Sequence, residues 1–156
     1  MSFNSLQTKK VKAPRTCAIA ESVRILGDKW SLLIMRDVIL HKKCRFKEFK
    51  SSKEKIATNI LASRLKFLVE SDLLRKLDPN GTKKSTRYIA TSAGLLVLPI
   101  IMEMYMFSID SIDEATLDAS QIALKEDFSN SRTLFEEKRK ADYLNFVEEL
   151  SELILA

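Results

Sequence analysis

Apolar residues recur at helical spacing through the first seventy residues of the chain, and polar residues punctuate them. Ile19, Val23 and Leu26 predict a first helix over residues 17–26, which Gly27 stops. Asp28 can then cap a second helix by accepting backbone N–H groups. In that helix, KWSLLIMRDVIL (29–40), Trp30, Leu33, Ile34 and Val38 or their neighbours turn inward. The segment CRFKEFKSS (44–52) reads as a short third helix with Phe46 and Phe49 on one side. Leu61, Leu65 and Leu68 recur at four and three residues and define the buried stripe of a fourth helix.

The period then changes. Leu73, Leu74 and Leu77 begin a strand, and residues 85–90 return as a second one. Between them Asp78-Pro79-Asn80-Gly81 is a turn signal, because Pro presets φ and Gly permits positive φ. Thr91 can cap one long apolar helix, SAGLLVLPIIMEMYMFS (92–108). Its side chains are apolar in nearly every direction, more than one small domain covers, so the pattern predicts a homodimer. Further on, Tyr143, Leu144, Phe146, Val147, Leu150 and Leu153 form a stripe at helical spacing. It predicts an extra helix packed on the dimer or on the first helix, with docking of another protein as the alternative.

Helices followed by a hairpin give a mainly α chain with a small β-hairpin wing (α+β), the winged helix-turn-helix arrangement. In that fold the third helix of the motif enters the major groove of DNA, and the wing meets phosphate or minor groove. On the outer side of the fourth helix stand Asn59, Ser63, Lys66 and Glu70, with Thr58 and Ala62 near its start. A merely solvated face is usually richer in Glu and Lys pairs. The short polar residues here would let the helix lie deep in a groove about 12 Å wide.

Composition narrows the class. The 156 residues are 46% hydrophobic and 30% charged, which suits a globular domain with or without a helical extension. No apolar run is expected to reach the roughly 18 residues a membrane helix needs, and the basic N-terminus lacks the apolar core of a signal peptide. A cytoplasmic protein without membrane association follows as the default. The net charge of +5 is unevenly spread: residues 1–100 hold 21 Lys/Arg and 8 Asp/Glu, residues 101–156 hold 5 and 13. A basic region of this size points to nucleic acid. These boundaries predict a basic arm (1–15), a winged helix-turn-helix domain (16–108) and an acidic helical extension (109–156).

Little supports catalysis. His41 is the single histidine and lies in the basic loop HKKCR, and three glycines cannot build a phosphate-cradling loop. Two cysteines give neither a disulfide framework nor a zinc ligand set, so no metal and no cofactor is expected. Cys17 would sit at a helix N-terminus beside Lys12 and Arg15, a setting that lowers a thiol's pKa. Cys44, between lysine and arginine, is read as an activated thiol or as a surface loop thiol.

Taken in order, Cys17, ILGDKW (25–30), RFKEF (45–49), ILASRLKFL (60–68) and YIATSAG (88–94) resemble the HxlR-type transcriptional regulators of the broader MarR-like winged-helix group. The resemblance spans roughly residues 17–107. It implies a DNA-binding dimer whose helices at both ends of the domain form the interface; the two-fold symmetry of such a dimer predicts an inverted-repeat operator in double-stranded DNA. It also implies that Cys17 stands where some members sense oxidants or electrophiles; a small residue packed in the dimer interface is the competing reading. Thr58, Asn59, Ala62 and Ser63 are the expected base-edge contacts, and Lys66, Lys83, Lys84 and Arg87 the phosphate contacts, with Arg64 bracing the backbone contact. The chain departs from the family pattern at Ala18, Ala57, Asp72 and Ala90, where proline, a polar cap, glycine and leucine are usual. Of these, Asp72 can adopt the left-handed conformation at some cost. The alternative function is a winged-helix protein-interaction module without DNA binding; no effector is named by any residue.

Overall fold

The computed structural model describes residues 17–82 and 85–156. Helix α1 (Ala18–Leu26) ends at Gly27, and α2 (Lys29–Ile39) follows at once. Asp28 caps α2: its carboxylate accepts the N–H groups of Trp30 at 3.1 Å and Ser31 at 2.9 Å. The short α3 (Phe46–Lys50) is capped from its own first turn, where the Glu48 carboxylate accepts the N–H groups of Cys44 (2.8 Å) and Arg45 (2.7 Å). Helix α4 (Thr58–Glu70) buries Leu61, Leu65 and Leu68, each contributing about 1.5–3 kcal/mol of hydrophobic stabilisation.

Helix α4 ends where the usual glycine is missing. Asp72 takes φ 60, the N–H of Leu73 donates to Leu68 at 3.0 Å and that of Asp72 to Val69 at 3.1 Å. This is the double C-terminal cap that a left-handed residue makes available. The chain then enters β1 (Leu74–Lys76), which pairs antiparallel with β2 (Tyr88–Ala90) in the register Leu74↔Ala90, Arg75↔Ile89 and Lys76↔Tyr88. The second strand is shorter than residues 85–90, because Ser85 and Thr86 curl back with both N–H groups on the Thr82 carbonyl at 3.0 Å. The turn also differs from expectation. No glycine among the described residues has positive φ. Asp78 closes the turn instead: its carbonyl accepts from Gly81 and its carboxylate from Asn80, both at 3.2 Å. A third backbone segment joins the wing, since Arg45 bridges Arg87 and the Tyr88 N–H donates to the Cys44 carbonyl at 2.8 Å.

Thr91 caps α5 (Ser92–Leu95) by accepting the Gly94 N–H at 2.9 Å, and α6 (Val97–Ile109) follows. The expected single helix is therefore two, parted at Leu96. Pro99 supplies the reason: it has no N–H for the Leu95 carbonyl and its ring crowds the preceding turn. By length and composition the 18 residues Ser92–Ile109, of mean hydropathy 1.7, could cross a membrane, against the expectation that no run was long enough. In this fold Leu98 and Met102 of that stretch are fully buried in the protein core.

Beyond a 3₁₀ turn at Glu114–Thr116 come α7 (Ala119–Asn130) and α8 (Arg132–Leu155). Phe128, Phe135 and Tyr143 from these helices join the same core cluster as Met35, Leu65 and Leu98. Helix α8 packs on α7 and α2. Tyr143 is its inward anchor, accepting the N–H of Ala90 on β2 at 2.8 Å. Phe146, Val147 and Leu150 are half-buried, whereas Leu144 and Leu153 of the expected stripe face outward.

Candidate nucleic-acid interface

The orientation of α4 is fixed from behind by an ionic frame. Asp37 is buried on α2 and meets Arg36 at 2.7 Å, the Lys43 ammonium at 3.0 Å and the Ser52 hydroxyl. Arg36 also pairs with Glu54 at 2.7 Å. That hydrogen bond pulls the Glu54 carboxyl down to about 2. The Lys50 ammonium donates to the Ile56 carbonyl at 2.7 Å, so the loop that delivers α4 is held at both ends. Lys55, at φ 53, makes the left-handed bend inside it.

Arg64 belongs to this frame as well. Its guanidinium reaches the Asp28 carboxylate at 3.5 Å and stacks 4.9 Å from the Phe67 ring. Burial would raise the Asp28 carboxyl, but hydrogen bonds from Ser31 and the Arg64 charge outweigh it and hold the group below its ordinary value. Arg64 thus ties α4 to the cap of α2 within the protein.

Of the expected base-reading residues, Thr58, Asn59, Ala62 and Ser63 are all exposed on one side of α4, and Lys66 extends beside them, 3.9 Å from Glu70. Ala57 makes no side-chain cap, so the first N–H groups of α4 are open to solvent or an external acceptor. Lys83 and Lys84 lie outside the described residues, as does the basic arm with Lys12 and Arg15. Arg87 is half-buried beside Arg45, and its Nε–H is buried with no hydrogen-bond partner among the described residues. Arg75 and Lys76, both exposed on β1, and Lys53 and Lys55 just before α4 add cations that the hydrophobic pattern does not single out. The clue lay in LLRKL, whose two central charges interrupt an apolar strand.

The cysteines separate. Cys44 is buried under the wing, and desolvation with the Glu48 charge pushes its thiol up to about 11. It is neither an activated nor a surface thiol. Cys17 is exposed at the start of α1. It makes no side-chain cap of ordinary geometry, yet the N–H groups of Ala20 and Ile19 favour its thiolate and lower its pKa. Among the described residues no group of three or more His, Cys, Asp or Glu is placed to hold a metal ion.

Three helices, a fourth with an unobstructed outer face and a short basic hairpin beside it define a winged helix-turn-helix protein. Residues 25–116 match the HxlR-like helix-turn-helix family, more than half of the chain, and the chain belongs to that family. Among solved structures it is similar to PA1607, a candidate transcription factor, with 28% identity, TM-score 0.58 and coverage of 67% of this chain and 72% of that one. The reduced form of the transcriptional regulator YodB from B. subtilis gives 27% identity, TM-score 0.50 and coverage of 66% and 100%. A candidate transcriptional regulator of the MarR family from Porphyromonas gingivalis W83 gives 28%, 0.54, and 67% and 100%. No curated protein matches the chain. Family and neighbours together make it a transcriptional regulator.

Proposed function

We propose that this regulator is a cytoplasmic homodimer that reads an inverted-repeat operator in double-stranded DNA with α4. The exposed face of α4 carries the proposal: Thr58, Asn59, Ala62 and Ser63 stand opposite the buried Leu61, Leu65 and Leu68. Short side chains at the leading end of a helix suit close approach to base edges. In this reading Lys66, Lys83, Lys84 and Arg87 meet phosphate, joined by Arg75 and Lys76 of β1, while Arg64 acts from behind by holding the helix on α2. Residues 16–108 form the DNA-binding domain and residues 109–156 an extension that buttresses it.

Dimerisation is supported by uncovered apolar surface on α1 and α6. Ile19, Val23, Leu96, Ile100, Met104 and Phe107 are exposed, Phe107 to 89%, a patch that a second subunit would bury. Two-fold symmetry sets the half-sites about 34 Å, or one DNA turn, apart. Cys17, exposed at the N-terminus of α1, the helix that carries Ile19 and Val23, is the proposed sensor of oxidants or electrophiles; the similarity to a regulator known in a reduced form supports that role. Selection of bound sequences from a random duplex pool tests the whole reading. An inverted repeat should emerge, and mild diamide should weaken its binding in wild type but not in Cys17→Ser. Recovery of no preferred sequence, with affinity insensitive to salt, would favour the protein-interaction module.

A further inference from the structure

Helices α2, α6, α7 and α8 surround a half-open cavity of about 530 Å³, within the range of roughly 300–1,000 Å³ typical of small-molecule sites. Leu32, Leu40, Ile101, Met102, Tyr105 and Leu124 make its walls mainly apolar. The Tyr105 hydroxyl is committed elsewhere, donating to the Gln121 carbonyl at 2.9 Å and so fixing α7 against α6.

Cations on the cavity wall are not equivalent. Arg36 is held by Glu54 and Asp37, each at 2.7 Å. His41, at the edge, is kept toward its neutral form by desolvation. Arg139 of α8 is half-buried and lies 5.0 Å from the Phe135 ring, but it forms no ion pair among the described residues. Its helix neighbour Arg132, by contrast, pairs with Glu103 at 2.5 Å. Arg139 also borders an adjoining cleft with Asp127 and Asp142, yet no carboxylate of the described residues pairs with it. A half-buried guanidinium at the border of an apolar cavity whose own lining holds no carboxylate gains most from an anion that brings its own apolar body. Ser120, Gln121, Leu124 and Arg139 all lie beyond residues 25–116, so the extension builds this cavity onto the family core.

We propose that the cavity binds a small amphipathic organic anion, an aromatic or branched carboxylate, with its apolar body among Leu40, Ile101 and Leu124 and its charge on Arg139. Titration with the fluorescent dye anilinonaphthalene sulfonate tests this on the full chain, with naphthoate and the neutral naphthalenemethanol as competitors. One dye should bind per chain, Arg139→Gln should weaken it about tenfold, the scale of one charge-assisted hydrogen bond, and Arg139→Lys should restore much of the loss. Leu124→Trp should intrude on the space given to the apolar body and weaken binding markedly. In wild type, naphthoate should displace the dye at markedly lower concentration than naphthalenemethanol, a comparison that needs no variant to fold. Equal competition by the two would remove the anion site, and unchanged dye affinity in Arg139→Gln and Leu124→Trp would move binding to the exposed α1 and α6 surface.

Discussion

Cys17 and Cys44 carry the same thiol in opposite surroundings. Exposure and the facing N–H groups of α1 favour the Cys17 thiolate, whereas burial beside Glu48 disfavours that of Cys44. Since the thiolate is the nucleophile, iodoacetamide near neutral pH should alkylate Cys17 at least about tenfold faster than Cys44 in the folded protein; peptide mapping over time measures the ratio. Glu54 gives a prediction of a different kind. Arg36 holds its carboxyl near 2, against 4.5 ordinarily. A depressed carboxylate stabilises the fold above its unfolded value, and the contribution disappears as pH falls from about 4.5 toward 2. Glu54 is partly exposed, so screening limits the contribution to about 1 kcal/mol or less. Glu54→Gln should lose that amount at pH 7 in urea denaturation and show a correspondingly shallower acid decline.

At the level of elements, α4 divides its labour by side. Leu61, Leu65 and Leu68 anchor it, Arg64 sets its angle through Asp28, and the residues between are left for recognition. Asn59→Ala should therefore cost about 1–3 kcal/mol on the preferred operator while leaving binding to random duplex unchanged; gel-shift titrations on both DNAs decide. Helix α8 reaches the second wing strand with the Tyr143 hydroxyl. Tyr143→Phe keeps the ring but leaves the Ala90 N–H without its acceptor, a loss of about 1–3 kcal/mol by chemical denaturation. Burial raises the Tyr143 phenol to about 12. The folded state thus favours the neutral form, and this stabilisation is complete below the ordinary tyrosine value of about 10 and is lost as pH climbs toward 12. The Phe variant should lack that part of the alkaline loss.

At the scale of the whole molecule, the charge is segregated. The basic helices and wing belong to the first hundred residues, the acidic helices to the remainder, and large apolar side chains are exposed on α1 and α6, with others on α8. Phe107→Glu places a charge on the expected dimer contact. Light scattering at micromolar concentration should give a dimer for wild type and the 17.8 kDa monomer for the variant; a folded wild-type monomer at that concentration would remove the dimer from the proposal.

What the chain alone determines is whatever depends on neighbours within one or two turns. The spacing of Leu61, Leu65 and Leu68, the Asp28 and Thr91 caps and the helix-to-hairpin change of period are local, and α2, α4 and α5 begin where these signals stand, whereas the length of the second strand and the break at Leu96 differ from the pattern. The outer residues of α4 were legible for the same reason: a helix wheel assigns the side opposite its leucines. Other features needed distant partners. Nothing near Arg64 in sequence announces Asp28, 36 positions away, and nothing beside Cys44 announces the strand that covers it. Only packing shows that α8 leans on α2 rather than α1, that Tyr143 serves Ala90, and that α7 and α8 close a cavity with Arg139 on its wall. A charge can be read one residue at a time, but whether it is paired, desolvated or free depends on what the folded chain brings within a few ångströms of it.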